Sequence, residues 1–273
     1  MGTAAAACAA PPVGASTYTY DANGNTTRGG TPTSTWNTFD QLASHTAGST
    51  TSFAYAGPSN TERTAAGATS YLNGSLGITQ QTTAGASTSF IRDPAGTLIS
   101  MRNSAGASFY YTTDALGSVI ALTDSTQAKA ATYTYDSWGN TTQTGTQAAA
   151  NPWRYAGGYK DDPTGLTKFG ARYYAPGNGR FTQPDPSGQE GNRYLYAGAS
   201  PCNFTDPTGL SACSGLTAAA AGIGVFAAGL FGFSLFVDSS VIGLPAGLSL
   251  GVLSGVAAAF GALTAGAAFV ACQ

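Results

Sequence analysis

Tyr133-Thr134-Tyr135-Asp136-Ser137-Trp138-Gly139-Asn140 is the stretch that decides the fold, because Tyr18-Thr19-Tyr20-Asp21-Ala22-Asn23-Gly24-Asn25 repeats it nearly position for position. In both copies Tyr, Thr and Tyr alternate, which on an extended chain sends the two rings to one face. Asp, two variable residues, Gly and Asn follow. An aspartate side chain can hydrogen-bond nearby backbone N–H groups and glycine tolerates positive φ, so the second half of the unit closes a hairpin. Looser copies lie between, at Phe39-Asp40-Gln41-Leu42, Phe90-Ile91-Arg92-Asp93-Pro94-Ala95-Gly96 and Tyr111 to Gly117. A hairpin alone cannot bury its aromatic face, so successive ones are expected to line up edge to edge in one sheet.

Composition sharpens this reading. With 273 residues, 42% of them hydrophobic, the chain can form a core. Its 37 glycines would also suit a disordered chain, but aromatics recurring with alternation favour turn-rich β structure. The net charge of −2 and the lack of a basic patch predict no nucleic-acid partner. His45 is the one imidazole and lies far from any distinctive nucleophile, and neither a phosphate loop nor a dinucleotide fingerprint is present. Cys8, Cys202, Cys213 and Cys272 show no C-x2-C pairing and no nearby His, so they are expected to be small buried or lipid-facing side chains. No metal and no cofactor is expected.

From Asn151 to Leu210 the aromatics sit among Gly, Pro and Asp turns, as a compact, curled end of the sheet would require. Three Asp-Pro turns punctuate this region: Asp162-Pro163-Thr164-Gly165-Leu166, Asp185-Pro186-Ser187-Gly188 and, after Pro201-Cys202-Asn203-Phe204-Thr205, Asp206-Pro207-Thr208-Gly209-Leu210. An Asp before Pro and Gly is first of all an ordinary turn. Arg172 and Arg180, set among aromatics, have an equally plain reading as cations lying over rings.

Several spaced motifs in order give the region a likeness. Tyr111-Thr112-Thr113-Asp114-Ala115-Leu116-Gly117-Ser118, Tyr133 to Asn140, Arg172-Tyr173-Tyr174, Gly179-Arg180-Phe181-Thr182-Gln183-Pro184-Asp185-Pro186 and the terminal P-x4-D-P-x-G-L together resemble the RHS repeat-associated core domain. That domain ends bacterial RHS/YD-repeat proteins, including polymorphic toxins and the C component of insecticidal toxin complexes. The resemblance covers residues 105–210 well and 16–104 as degenerate repeats, after an unstructured 1–15. It implies a mainly β fold of stacked YD-repeat hairpins forming part of an RHS shell. It also implies a self-cleaving aspartyl centre that cuts after Leu210, with Arg172, Asp185 and Asp206 as the matching residues and Ser211 as the first residue of the released tail. The chemistry asks for two carboxyls close enough to share a proton, one activating water and the other donating one. A guanidinium would orient one carboxylate and hold it ionised. Leu166 lacks the P-x4 lead, so no cleavage is expected there.

The tail, 211–273, lies outside the resemblance and has Asp238 as its one charged residue. Two uncharged segments, about 215–237 and 241–270, each exceed the ~20 residues that span a hydrocarbon core, and predict a transmembrane-like α hairpin. A buried helical plug for the β shell is the alternative. The chain opens within repeat-like sequence, as a piece of a longer protein or a cassette with its own start would, and without a signal peptide's basic and apolar regions.

Two functions are consistent with this. One is the C-terminal module of a polymorphic toxin or delivery protein, an intramolecular autoprotease rather than a turnover enzyme, that releases a membrane-active tail. The other is a non-enzymatic cell-surface protein anchored by the same helices. The implied partners are membrane lipid, the chain's own tail as cargo, a carbohydrate or toxin-complex partner and an immunity protein, and the implied location is the membrane, the cell surface or outside the cell.

Overall fold

Asp21 Oδ1 accepts hydrogen bonds from the N–H groups of Asn23 (3.0 Å) and Asn25 (2.8 Å), and Gly24 follows at φ 88°. Asp136 holds Trp138 and Asn140 in the same way, both at 2.9 Å, with Gly139 at φ 87°. Asp114 holds Leu116 and Ser118. The structure, a computed structural model, describes residues 17–59, 61–188 and 191–214. The Phe39-Asp40 copy is displaced within it. Asn37, not Asp40, accepts from the N–H groups of Phe39 and Gln41, while Asp40 takes the left-handed position at φ 56°. An asparagine oxygen reaches the same N–H groups as an aspartate oxygen, so matching on Asp alone places this copy three residues out of register.

These turns join fourteen strands, from Tyr18–Tyr20 to Thr141–Thr144, into one antiparallel sheet whose spatial order is the sequence order. Register shifts such as those at Thr112/Thr113 and Leu122/Thr123 are bulges that bend and twist it. One face buries Ile78, Phe90, Met101, Phe109, Val119, Leu122 and Tyr133. The other leaves Ile91, Ile99, Tyr110 and Ile120 exposed.

Residues 145–214 fill the apolar face. Trp153 meets Phe90 edge-on at 5.7 Å and Tyr159 meets Tyr71 at 5.5 Å. A second sheet, Tyr159–Asp161, Leu166–Phe169, Arg172–Ala175 and Arg180–Phe181, forms the centre of this filling. Thr182 O accepts from Thr26 N–H at 2.8 Å near one end of the large sheet, and Tyr174 donates its hydroxyl to Trp138 O at 2.8 Å near the other. The large sheet therefore curls around the small one, and the curl is occupied by the chain itself. Wholly buried Arg63 ties the two together, ion-paired with Asp161 and lying 4.6 Å over the Tyr71 ring and 4.9 Å over Tyr159. A buried guanidinium needs such a partner, because an uncompensated one would be strongly destabilising.

Cys202 is disulfide-bonded, which corrects the expectation of a lone small side chain there. Spacing along the sequence signals only cysteines paired through local motifs, whereas a disulfide needs Cα atoms brought within about 4.4–6.8 Å by the fold. The expected helices at about 215–237 and 241–270 lie outside the described residues, as does 1–15. No helix among the described residues is long and apolar enough to cross a membrane.

Candidate functional site

The third Asp-Pro loop is seated on a turn of the small sheet by two glycines. Gly170, at φ 39°, lies between strands Leu166–Phe169 and Arg172–Ala175, and a Cβ there would stand 2.0 Å from Thr208 O. Gly209, at φ 67°, packs as closely in the other direction, where a Cβ would stand 2.4 Å from Phe169 O. Without side chains at these points the two main chains touch, and Ala171 N–H donates to Thr208 O at 2.8 Å.

That contact sets Arg172 beneath the loop. Its guanidinium is buried 3.6 Å over the Phe181 ring, donates from Nε to Gly209 O and from Nη1 to Arg193 O (3.1 Å), and pairs through Nη2 with Asp206 Oδ2 at 2.9 Å. The guanidinium thus both stacks on a ring and pairs with a carboxylate. Arg180 is used differently, lying 4.8 Å over Tyr18 and 4.3 Å over Tyr194.

Asp206 is 1% exposed, and its Oδ1 accepts from Leu210 N–H at 3.1 Å and from Ser211 N–H at 3.2 Å. It therefore faces the nitrogen side of the Leu210–Ser211 peptide. Burial pushes its carboxyl above the usual range, while Arg172 and the two N–H groups pull the other way.

Asp185, also buried, reaches the opposite side of the same peptide. Its two oxygens each lie 2.7 Å from Ser187 Oγ, which lies 3.2 Å from Leu210 O. Hydrogen bonds thus run toward this peptide from Asp206 on one side and, through Ser187, from Asp185 on the other. A cavity of about 220 Å³ opens beside Arg172 and Asp185, with Asn25, Asp40 and Gln183 in its wall, and has room for several waters.

Asp162, in the other D-P-T-G-L, points elsewhere. It makes a bidentate pair with Arg154 at 2.7 and 2.8 Å and is half exposed. His45 is buried in strand Leu42–Ala47 with Nδ1 2.9 Å from Ser34 Oγ, and burial pushes its imidazole down. Sequence reasoning passed over Ser187 and the Gly170–Gly209 contact. Ser187 and Gly209 stand inside quoted Asp-Pro turns and Gly170 just before Arg172-Tyr173-Tyr174, yet nothing in a linear motif says that position 187 meets position 210 or that 170 meets 209.

Comparison with known proteins gives a consistent picture. Residues 78–193 match the Teneurin YD-shell family. The chain is 42% identical over 95 residues to tRNA nuclease WapA of Bacillus subtilis, which is 32% of this chain and 4% of that protein. It is 43% identical over 83 residues to Double-stranded DNA deaminase toxin A of Burkholderia cenocepacia (28% and 6%) and 44% identical over 66 residues to Toxin protein Tse5 of Pseudomonas aeruginosa (23% and 5%). Among solved structures, the Photorhabdus luminescens Tc holotoxin pore superposes with a TM-score of 0.57 at 19% identity, over 70% of this chain and 10% of that one. TcdB2-TccC3 superposes with a TM-score of 0.56 at 21% identity, over 70% and 11%. At such identities the likeness is one of fold. The chain spans only about a twentieth of each of these three curated relatives.

Proposed function

Since this chain is an RHS/YD-repeat shell segment, we propose that it serves as the carrier end of a toxin or delivery protein and cuts itself between Leu210 and Ser211 to separate the tail. The relatives support the carrier part by their differences. One is named for cutting transfer RNA and another for deaminating double-stranded DNA, yet both resemble this chain. What is common to unlike activities is not itself either of them, so the shared part is read as the vehicle.

The observation that carries the cleavage reading is one peptide approached from both sides by buried acids. Asp206 touches the Leu210 and Ser211 N–H groups, and Asp185 reaches Leu210 O through Ser187. In this reading a water oxygen bonds to the Leu210 carbonyl carbon and gives one proton to Asp206. Asp206 then passes that proton to Ser211 N as the C–N bond breaks. Arg172 positions Asp206 and, through Gly209 O, the loop that carries the bond. Intact mass of the purified full chain tests this: two species meeting at Leu210/Ser211 are expected, and a single full-length mass after folding and incubation overturns it.

The released residues 211–273 are proposed to enter bilayers as a helical hairpin with Asp238 at the aqueous interface. Support comes from the sequence, since an aspartate at mid-membrane would cost about 2.5–3.5 kcal/mol on insertion scales. Carbonate extraction checks it. A tail that washes into the soluble fraction is a plug or core helix, and full-length chain retained in the membrane fraction favours the anchored cell-surface protein instead.

A further inference from the structure

We propose that Ser187 is a catalytic residue of the self-cleavage, its hydroxyl carrying a proton between Asp185 and the Leu210 carbonyl oxygen. This rests on the cleavage reading above and adds to it the group that acts on the oxygen of the scissile bond.

The argument is one of counting protons. Ser187 Oγ stands 2.7 Å from each oxygen of Asp185 and 3.2 Å from Leu210 O, so three acceptor oxygens surround one hydroxyl proton. If that proton points at Asp185, the Leu210 oxygen faces only a lone pair. If Asp185 enters as the acid, the contacts are satisfied in sequence: the carboxyl donates to Ser187 Oγ, and Ser187 Oγ donates to Leu210 O. The second arrangement leaves the carbonyl polarised and the relay complete.

Position favours it as well. Asp185 is 3% exposed and is held in its turn by Ser187 N–H at 2.9 Å, so the carboxyl and the hydroxyl belong to one three-residue turn, Asp185-Pro186-Ser187. The Leu210 peptide is fixed independently, by Asp206 at its nitrogen side and by Arg172 through the neighbouring Gly209 O. Two separately anchored elements therefore meet at the oxygen on which negative charge would develop. A donor preset there acts without reorganisation when the charge appears.

The step balances. As water adds to the Leu210 carbonyl carbon and gives a proton to Asp206, the Ser187 proton moves to Leu210 O and the Asp185 proton replaces it, leaving a neutral gem-diol. On collapse the C–N bond breaks, Ser211 N takes the proton from Asp206, and one gem-diol proton returns through Ser187 to Asp185. Leu210 leaves as a carboxylic acid and Ser211 as an amine, with both aspartates restored.

The experiment is a time course of full-length mass for the parent chain, Ser187→Ala, Ser187→Thr and Asp206→Asn, with melting temperatures measured so that the two Ser187 variants are compared at matched stability. Ser187→Ala should slow cleavage roughly 10²-fold, the loss seen when one oxyanion donor is removed. Ser187→Thr, which keeps the hydroxyl, should recover to within about tenfold of the parent. If Ser187→Ala cleaves at the parent rate, or if Ala and Thr are equally slow at matched stability, the relay is wrong while self-cleavage stands. If the parent does not cleave, or Asp206→Asn cleaves as the parent does, the cleavage reading itself is wrong and the relay falls with it.

Discussion

Asp162 to Leu166 and Asp206 to Leu210 are the same five residues, D-P-T-G-L, placed in one chain with opposite surroundings. The first is a plain hairpin turn between strands Tyr159–Asp161 and Leu166–Phe169, with Asp162 half exposed against Arg154 and open space where a Cβ on Gly165 would stand. The second is pressed onto the Gly170 turn, with Asp206 buried against Arg172 and two backbone N–H groups. Identical local chemistry thus makes a plain turn in one place and an acid-lined peptide in the other. What differs is what the loop is packed against.

The comparison can be broken most sharply at the two aspartates. Asp206→Asn should abolish cleavage, because an amide cannot accept a proton from water and return it to Ser211 N, and the mass spectrum should show one full-length species. Asp162→Asn should leave the cleavage rate unchanged while lowering stability, because the buried guanidinium of Arg154 loses its carboxylate. Equal behaviour of the two variants would erase the distinction.

The glycines give a graded version of the same contrast. Gly165→Ala meets open space and bears only the strain of its φ of 72°, about 1–2 kcal/mol. Gly209→Ala bears similar strain and also drives a Cβ to 2.4 Å from Phe169 O and 2.9 Å from Arg172 N, so the loop must lift off. Denaturant melts should show the larger loss for Gly209→Ala, and its cleavage should slow at least tenfold while that of Gly165→Ala does not.

The smallest effect is in pH. Burial raises the Asp206 carboxyl above its ordinary value of 3.8. The folded chain therefore holds this proton more tightly than the unfolded one does. Its contribution to stability is full below 3.8 and is lost as pH rises through the raised value. Parent melts should gain on Asp206→Asn as the solution is acidified from neutrality. Cleavage, which needs Asp206 as base, should slow over that same acid range, with a midpoint above 3.8.

The repeat architecture was legible in the sequence because it is local. Asp21, Asp114 and Asp136 close their hairpins through hydrogen bonds spanning two and four residues, so a linear pattern contains the whole interaction. The exception, Asn37, failed only because two side chains share one oxygen geometry. Arg172, Asp185 and Asp206 were found through a resemblance, since a turn made by Asp, Pro and Gly reads the same with or without a site.

By itself, then, the sequence determined the hairpin unit, the order of strands and the apolar face, each of which depends on neighbours within a few positions. Only the tertiary structure decided that the curl is filled by residues 145–214, that Arg63 finds Asp161 98 positions away, that Gly170 seats Gly209, and that Ser187 stands 23 positions from the Leu210 oxygen it approaches. Such contacts join groups far apart along the chain, and burial and hydrogen bonding then assign unlike environments to the two copies of D-P-T-G-L, which no reading of their shared five letters distinguishes.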